Sequence, residues 1–393
     1  MRNKHITMRI GIDARTILNP EKGEAIGVGH YTYQLIRNLL EIDKENEYVL
    51  LFDFRVREKD IKKFTKPNVK IKFYPFSDYK KYLPGAYSEI LGTATLNKEK
   101  LDILHSTSPH SRIPVGYRGK CIVTFHDLAI YKIPQCYPTL KGAKDKTIYK
   151  LMAGKADKII AVSNSTKKDV QEIFKIAPKK IEVIYSGLDK RFFDEPKIDG
   201  KKILEKYGIT KKYILFLGTL ELSKNITRLF EAFSIFKEKI KRENAKFDYQ
   251  LVLAGKRGWL SQEYFQLSKD MGLSKDVIFT GYIVGDEIVP LFKNSQFFVM
   301  PSLYEGFGMT VLEAFATGTP AIISRVSSLP EIAGDAAYYV DPMNKKDIAD
   351  AIIKFAQDEN LRNEFRIKGI EQAKKFNWEK TAQETLEVYK SFQ

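Results

Sequence analysis

Pro301-Ser-Leu-Tyr-Glu-Gly-Phe-Gly-Met-Thr-Val-Leu-Glu-Ala-Phe-Ala-Thr-Gly-Thr-Pro320 follows a short apolar run, Phe297–Met300, and leads through two glycines into an apolar segment of helical spacing. That order predicts a buried strand, a tight turn and a helix beginning near Met309. Gly306 and Gly308 let the backbone approach a ligand closely. The free amides and positive dipole end of the helix then make the turn Gly306-Phe307-Gly308-Met309-Thr310 a site for a diphosphate. Glu305 sits just before the turn and Glu313 about one helical turn inside it. Two carboxylates do not suit phosphate itself, but they accept hydrogen bonds from hydroxyls such as those of a sugar and a ribose.

Outward from this stretch, short β-rich runs alternate with longer segments of helical spacing, the pattern of parallel sheets covered by helices. In the first half the expected strands are Met8–Asp13, Tyr48–Asp53, Val69–Tyr74, Asp102–His105, Lys120–Phe125, Lys158–Val162 and Ile181–Tyr185. In the second they are Tyr213–Leu217, Tyr249–Ala254, Val277–Thr280, Phe297–Met300, Ala321–Ser324 and Ala337–Val340. Two sheets fit 393 residues better than one. The polar stretch Ser186–Gly208, broken by Pro196 and Gly200, reads as the linker. Ligands bind outside the carboxyl ends of parallel strands, so two such domains are expected to face one another across a ligand cleft.

The formal charge of +16 is unevenly placed. Residues 1–195 carry 36 Lys and Arg against 23 Asp and Glu, a net +13, and the remainder carries +3. A positive half-molecule suits an anionic partner, and the run from Arg55 to Lys81, rich in Lys and aromatic side chains, is its densest part. No recognised nucleic-acid module accompanies the charge, so an anionic membrane surface or a phosphate-bearing acceptor is the expected partner, and nucleic acid is not. The N-terminus has no apolar run after its cations, and no stretch approaches about 20 uninterrupted apolar residues. Cys121 and Cys136 lack the company of a zinc site, which favours reduced thiols and a cytoplasmic setting, at most peripheral to a membrane.

The stretch Ser302-Leu-Tyr-Glu-Gly-Phe-Gly, with seven residues between Glu305 and Glu313, resembles the signature of retaining glycosyltransferase family 4. Further motifs carry the resemblance over nearly the whole chain. They are Gly27-Val-Gly29, Thr124-Phe-His-Asp-Leu128, Ala161-Val-Ser-Asn-Ser165, Gly187-Leu-Asp189, Gly218-Thr-Leu-Glu-Leu-Ser-Lys-Asn225, Leu253-Ala-Gly-Lys256 and Ser327-Ser-Leu-Pro-Glu-Ile-Ala-Gly334. The resemblance implies the GT-B fold, two Rossmann-like domains. The acceptor-binding one is expected over 1–190, joined by a terminal crossover helix at about 376–393 that Trp378 anchors. The donor-binding one is expected over 205–375.

It also implies roles. Glu305 contacts the donor sugar, Glu313 the nucleotide ribose, and Lys224 the diphosphate, where a fixed ammonium stabilises the departing charge. Thr219 and Lys256 line the donor site with the Gly306 to Thr310 turn. Arginines frequent in the family are missing at Thr219 and Ser223, leaving Arg228, Lys256 and Arg257 as candidate substitutes. His126 is expected to reach the donor sugar and acceptor, by a hydrogen bond or by helping proton transfer. His105 and His110 are acceptor-side candidates. Gly27 and Gly29 resemble a loop that closes over the phosphates and sugar. A dinucleotide fingerprint fails there because Thr32 holds the third glycine position.

The activity implied is transfer of a hexose, of mannose or glucose type, from a nucleotide diphosphate sugar to a saccharide or lipid-linked hydroxyl acceptor in cell-surface polysaccharide or glycolipid assembly. The chain has no Asp-x-Asp pair, so no metal and no cofactor are expected, with Lys224 and helix amides in their place. The rivals are an epimerase or phosphorylase of the same fold and a non-catalytic protein that binds carbohydrate or a lipid surface.

Overall fold

The computed structural model describes residues 7–17, 27–53, 56, 58–74, 85–243, 248–256, 258, 261–283 and 285–393. It divides into two compact units: Met1–Leu128 with Thr139–Gly187 and Trp378–Gln393, and Ala129–Pro138 with Leu188–Asn377.

The first unit holds a parallel sheet of seven strands in the order β3-β2-β1-β4-β5-β6-β7. In chain order these are Arg9–Asp13, Glu47–Asp53, Val69–Tyr74, Ile103–Ser106, Lys120–Phe125, Lys158–Ala161 and Ile181–Val183. The inner strands read as continuous apolar runs because helices cover both sheet faces. The second unit holds six parallel strands, β10-β9-β8-β11-β12-β13. In chain order, β8 to β13 run Lys212–Leu217, Tyr249–Ala254, Val277–Gly281, Phe297–Met300, Ala321–Ser324 and Tyr338–Val340. The order reverses at β1 and β4 in one sheet and at β8 and β11 in the other, the switch points where such sheets bind ligands. Each unit is a doubly wound Rossmann-like domain, and each expected strand is present with its ends within two residues of the expected ones.

The core of the second unit follows from one helix. Ile226–Arg242 places Ile226, Leu229, Phe230, Phe233 and Phe236 on one stripe, all buried against Ile214 and Phe216 of β8, Leu251 and Leu253 of β9 and Phe355 of helix Lys345–Gln357. Fully burying one such phenylalanine contributes about 2–3 kcal/mol.

The terminal helix Trp378–Lys390 belongs to the first unit. Trp378 lies edge-on to Tyr31 at 5.7 Å, Thr381 Oγ1 donates to the Tyr185 carbonyl at 2.8 Å, and the buried Tyr389 hydroxyl lies 2.7 Å from His105 Nδ1. Conversely, Ala129–Pro138 belongs to the second unit. Apolar periodicity records which side chains are buried, not which domain buries them, so the transfer of Ala129–Pro138 is invisible in sequence.

The stretch expected as a polar linker is built structure. Leu188 and Phe192 are buried, and helix Gly200–Tyr207 is capped by Asp199, which accepts from Lys201 N at 2.9 Å, and closed by Gly208 at φ +66°. Its few apolar residues carry the packing, so composition alone understates it.

Much of the basic run falls outside the described residues, including Arg55, Arg57, Lys80 and Lys81. Among its described members, Lys70 and Lys72 pair with Glu99 at 2.9 and 3.2 Å, and Arg9 joins them at 2.9 Å. These cations hold the Glu99 carboxyl at about 2. That part of the charge is therefore spent inside the first unit. Among the described residues no helix is long and apolar enough to cross a membrane.

Candidate functional site

In the second unit Lys224 and Glu305 meet directly. Lys224 Nζ donates to Glu305 Oε1 at 2.7 Å, with side chains 19% and 13% exposed. Both loops follow strand ends on either side of the switch point: Lys224 ends the short turn Leu222–Lys224 beyond β8, and Glu305 lies five residues beyond β11. Asn225, at φ +60°, stitches them together, its Nδ2 donating to the carbonyls of Pro301 at 2.9 Å and Pro342 at 2.7 Å. Leu303 N adds a bond to the Ser223 carbonyl at 2.8 Å.

Glu305 is held on every side. Ser302 Oγ donates to its Oε1 at 2.7 Å, its own amide donates to Ser327 Oγ at 2.8 Å, and Ser328 Oγ donates to its carbonyl at 2.9 Å. Ser328 also reaches the Phe307 carbonyl at 3.0 Å, which fixes the Gly306-Phe307-Gly308 turn. Such a preorganised carboxylate needs little rearrangement on meeting a ligand.

Helix Met309–Ala316 starts where the sequence places it. Its cap, Gly308, has φ +105° and offers no side chain to the first amides, and a Cβ there would meet Leu329 Cδ2 at 2.8 Å. Val311 N already donates to the Gly308 carbonyl at 3.0 Å, so the first-turn amides left to solvent or a ligand are those of Met309 and Thr310. Thr310 Oγ1 lies 3.3 Å from Met300 Sδ beneath them. Glu313, in the second turn, is partly buried, and desolvation pushes its carboxyl up to about 8, opposed by Arg191 and reinforced by Asp189. Thr219 and Lys256 sit on adjacent strand ends joined by the Leu220 N to Lys256 carbonyl bond at 2.9 Å; Thr219 is half-buried and Lys256 exposed. Of the candidates for the missing arginines, Arg257 lies outside the described residues, and Arg228 Nη1 is bound to Asn225 Oδ1 at 2.9 Å.

The first unit groups the remaining candidates. His126 follows β5, and its Nε2 bonds the Thr107 carbonyl at 2.8 Å. A carbonyl can only accept, so Nε2 carries the proton and Nδ1 is the acceptor. Burial lowers the pKa of His126 to about 4, so the ring is neutral near pH 7. The ring of Tyr31 stands edge-on to it at 4.7 Å.

Two expectations are corrected. Gly27 and Gly29 form no loop: they are the first turn of helix Gly27–Ile42, entered at φ +58° through Gly27, with Gly29 buried. First-turn amides have no intrahelical partner, so glycine costs less there than in a helix interior. Thr32 of that helix bonds Thr107 at 2.8 Å, tying the glycine turn to the residue that holds His126. His105 is no acceptor-side group. It is fully buried between Tyr389 and Thr124, and burial lowers its pKa to about 3. His110 is exposed beside Tyr149, with 3.2 Å between Nε2 and the hydroxyl.

Asn225, Ser302, Ser327 and Ser328 were not singled out by the sequence, nor were the charges of Arg191 and Asp189 that act on Glu313. Serines before a Leu-Pro pair look like helix caps, and nothing local shows that they grip a loop more than twenty residues earlier. Among the described residues no group of three or more His, Cys, Asp or Glu could hold a metal ion.

Residues 26–192 match the family described as Glycosyltransferase Family 4, and residues 199–372 match Glycosyl transferases group 1. The chain is 29% identical over 273 residues to the O-antigen chain mannosyltransferase B of Escherichia coli, covering 69% of this chain and 70% of that one. Its fold is similar to the sucrose-phosphate synthase of Thermosynechococcus elongatus, with TM-score 0.76, 19% identity and 98% of each chain covered. It is also similar to Anabaena Alr3699/HepE, whose structure holds UDP-glucose, with TM-score 0.73, 15% identity and 98% and 100% covered. The two doubly wound domains give the chain the GT-B fold, and the two family matches make it a glycosyltransferase. The chain belongs to glycosyltransferase family 4.

Proposed function

We propose that this glycosyltransferase moves a hexose, of mannose or glucose type, from a nucleotide diphosphate sugar to a hydroxyl on a saccharide or lipid-linked acceptor, keeping the anomeric configuration. The observation that carries the reading is the Lys224–Glu305 pair beside the uncapped turn Gly306-Phe307-Gly308. The first amides of helix Met309–Ala316 and the Lys224 ammonium take the diphosphate. When the donor enters, Lys224 exchanges part of its contact with Glu305 for the phosphate oxygens, and Glu305 turns its acceptor capacity to the sugar hydroxyls. Glu313 accepts from the ribose hydroxyls.

As the glycosidic bond to phosphate lengthens, negative charge grows on the leaving nucleoside diphosphate. Lys224 and the helix amides stabilise it more in the transition state than in the ground state. The acceptor attacks from the face that the diphosphate leaves, and the departing phosphate takes the acceptor proton. In this reading no metal is required. His126, neutral and with Nδ1 unprotonated, acts as a hydrogen-bond acceptor rather than as a cation.

The name of the relative in Escherichia coli supports mannose and a polysaccharide product. The basic first half supports a site of action on the cytoplasmic side against an anionic membrane. On its described surface Ile90 and Leu140 are 64% and 89% exposed, and helix Thr139–Lys155 carries five lysines against one aspartate.

A panel of nucleotide sugars, scored by thermal stabilisation and slow hydrolysis with EDTA or with magnesium, tests the reading. A donor at one hundred times its dissociation constant adds about 2.7 kcal/mol. Stabilisation by no nucleotide sugar, or hydrolysis lost with EDTA and restored by magnesium, would count against it.

A further inference from the structure

A separate cavity of about 950 Å³ opens in the second unit at the carboxyl ends of β12 and β13. Its walls include neither Lys224, Glu305 nor the glycine turn, yet it adjoins their loops through Leu222 and Asn225 on one side and Leu303 on the other. Ile133, from the segment that the first half of the chain lends to this unit, closes another wall.

Two guanidinium groups line it. Arg228 is bonded to Asn225 Oδ1 at 2.9 Å, and the Arg325 guanidinium stands 5.0 Å from the centre of the Tyr339 ring. Among the described residues neither pairs with a carboxylate. The two acids of the lining are committed to the backbone: Asp341 Oδ1 accepts from Met343 N at 2.8 Å, and Asp347 Oδ2 from Asp341 N at 2.7 Å. Arg228 and Arg325 thus face the cavity outside any carboxylate pair, and guanidinium geometry suits phosphate or carboxylate. The remaining walls are largely apolar, with the ring of Tyr264 among them, and suit the C–H face of a pyranose rather than a bare ion.

We propose that this cavity binds a sugar bearing a phosphate or a carboxylate, with Arg228 and Arg325 clamping the oxyanion, and that it is an acceptor-side subsite beside the donor turn. Its assignment to the acceptor rests on the donor reading of Lys224 and Glu305; the binding itself does not.

Calorimetric titration of the full chain with mannose 6-phosphate, glucuronate, inorganic phosphate and mannose tests it. One or both charged sugars should bind. Arg228→Gln and Arg325→Gln should each weaken them about 10-fold or more, the scale of one charge-assisted hydrogen bond, with partial rescue by the lysine variants. Nucleotide-sugar affinity should be unchanged in Arg325→Gln, which also shows that the variant is folded. Binding of neither charged sugar, equal binding of mannose, equal binding of inorganic phosphate, or unaltered affinity in both glutamine variants would overturn the proposal. Absence of nucleotide-sugar binding by the wild type would instead sink the donor reading, leaving the sugar titration to be read by itself.

Discussion

Lys224 Nζ and Glu305 Oε1 are 2.7 Å apart although 81 residues separate them in the chain. Each is the other's counter-charge, and the pair is held in place by Asn225 and Ser302. A donor that takes one member changes what the other can do.

Removing either member should therefore cost turnover, not folding. Lys224→Ala and Glu305→Ala are each expected to lose at least about 100-fold in kcat, the scale of one preorganised charge contact. Steady-state rates with the best donor of the panel provide the check, and near-wild-type rates in either variant would remove the role assigned to it.

Glu313 makes a pH-dependent prediction. Its carboxyl stands at about 8 in the folded protein against an ordinary 4.5. The unfolded chain gives up that proton first, so this residue makes stability fall as pH rises from about 4.5 to 8. Glu313→Gln should raise Tm relative to wild type increasingly across that window, by about 2–4 °C per kcal/mol gained. A Tm difference that does not change with pH would show that the carboxyl is not held protonated.

His126 predicts the opposite slope. Its folded pKa of about 4 lies below the ordinary 6.5, so a neutral ring is favoured by folding and stability falls as pH drops from 6.5 towards 4. His126→Gln should flatten the acid limb of a Tm against pH curve. An unchanged limb would assign the acid sensitivity elsewhere, with His105 the first alternative.

Gly255 makes a purely structural prediction. It has φ +148°, and a Cβ there would fall 1.8 Å from the Gly218 carbonyl oxygen, backbone that cannot step aside. Gly255→Ala should cost more than about 3 kcal/mol, read from denaturant midpoints, whatever the donor. A loss under 1 kcal/mol would mean that the two strand ends are less tightly apposed.

Most of the fold was legible in the chain because parallel strands buried on both faces must be continuous apolar runs, and helices that cover them must repeat at 3.6 residues. The turn at Gly306 and Gly308, the helix start at Met309 and the succession Glu305 to Glu313 are equally local, fixed by glycine's freedom at positive φ and by residue spacing. What the sequence could not decide was everything carried by contacts across long separations. Only folding brings Lys224 to Glu305, sets Ser327 and Ser328 beneath the glycine turn and buries His105 against Tyr389. It also lends Ala129–Pro138 to the second unit. Burial and hydrogen-bond partners are properties of neighbours in space, and they alone separate the half-buried His126 from the fully buried His105.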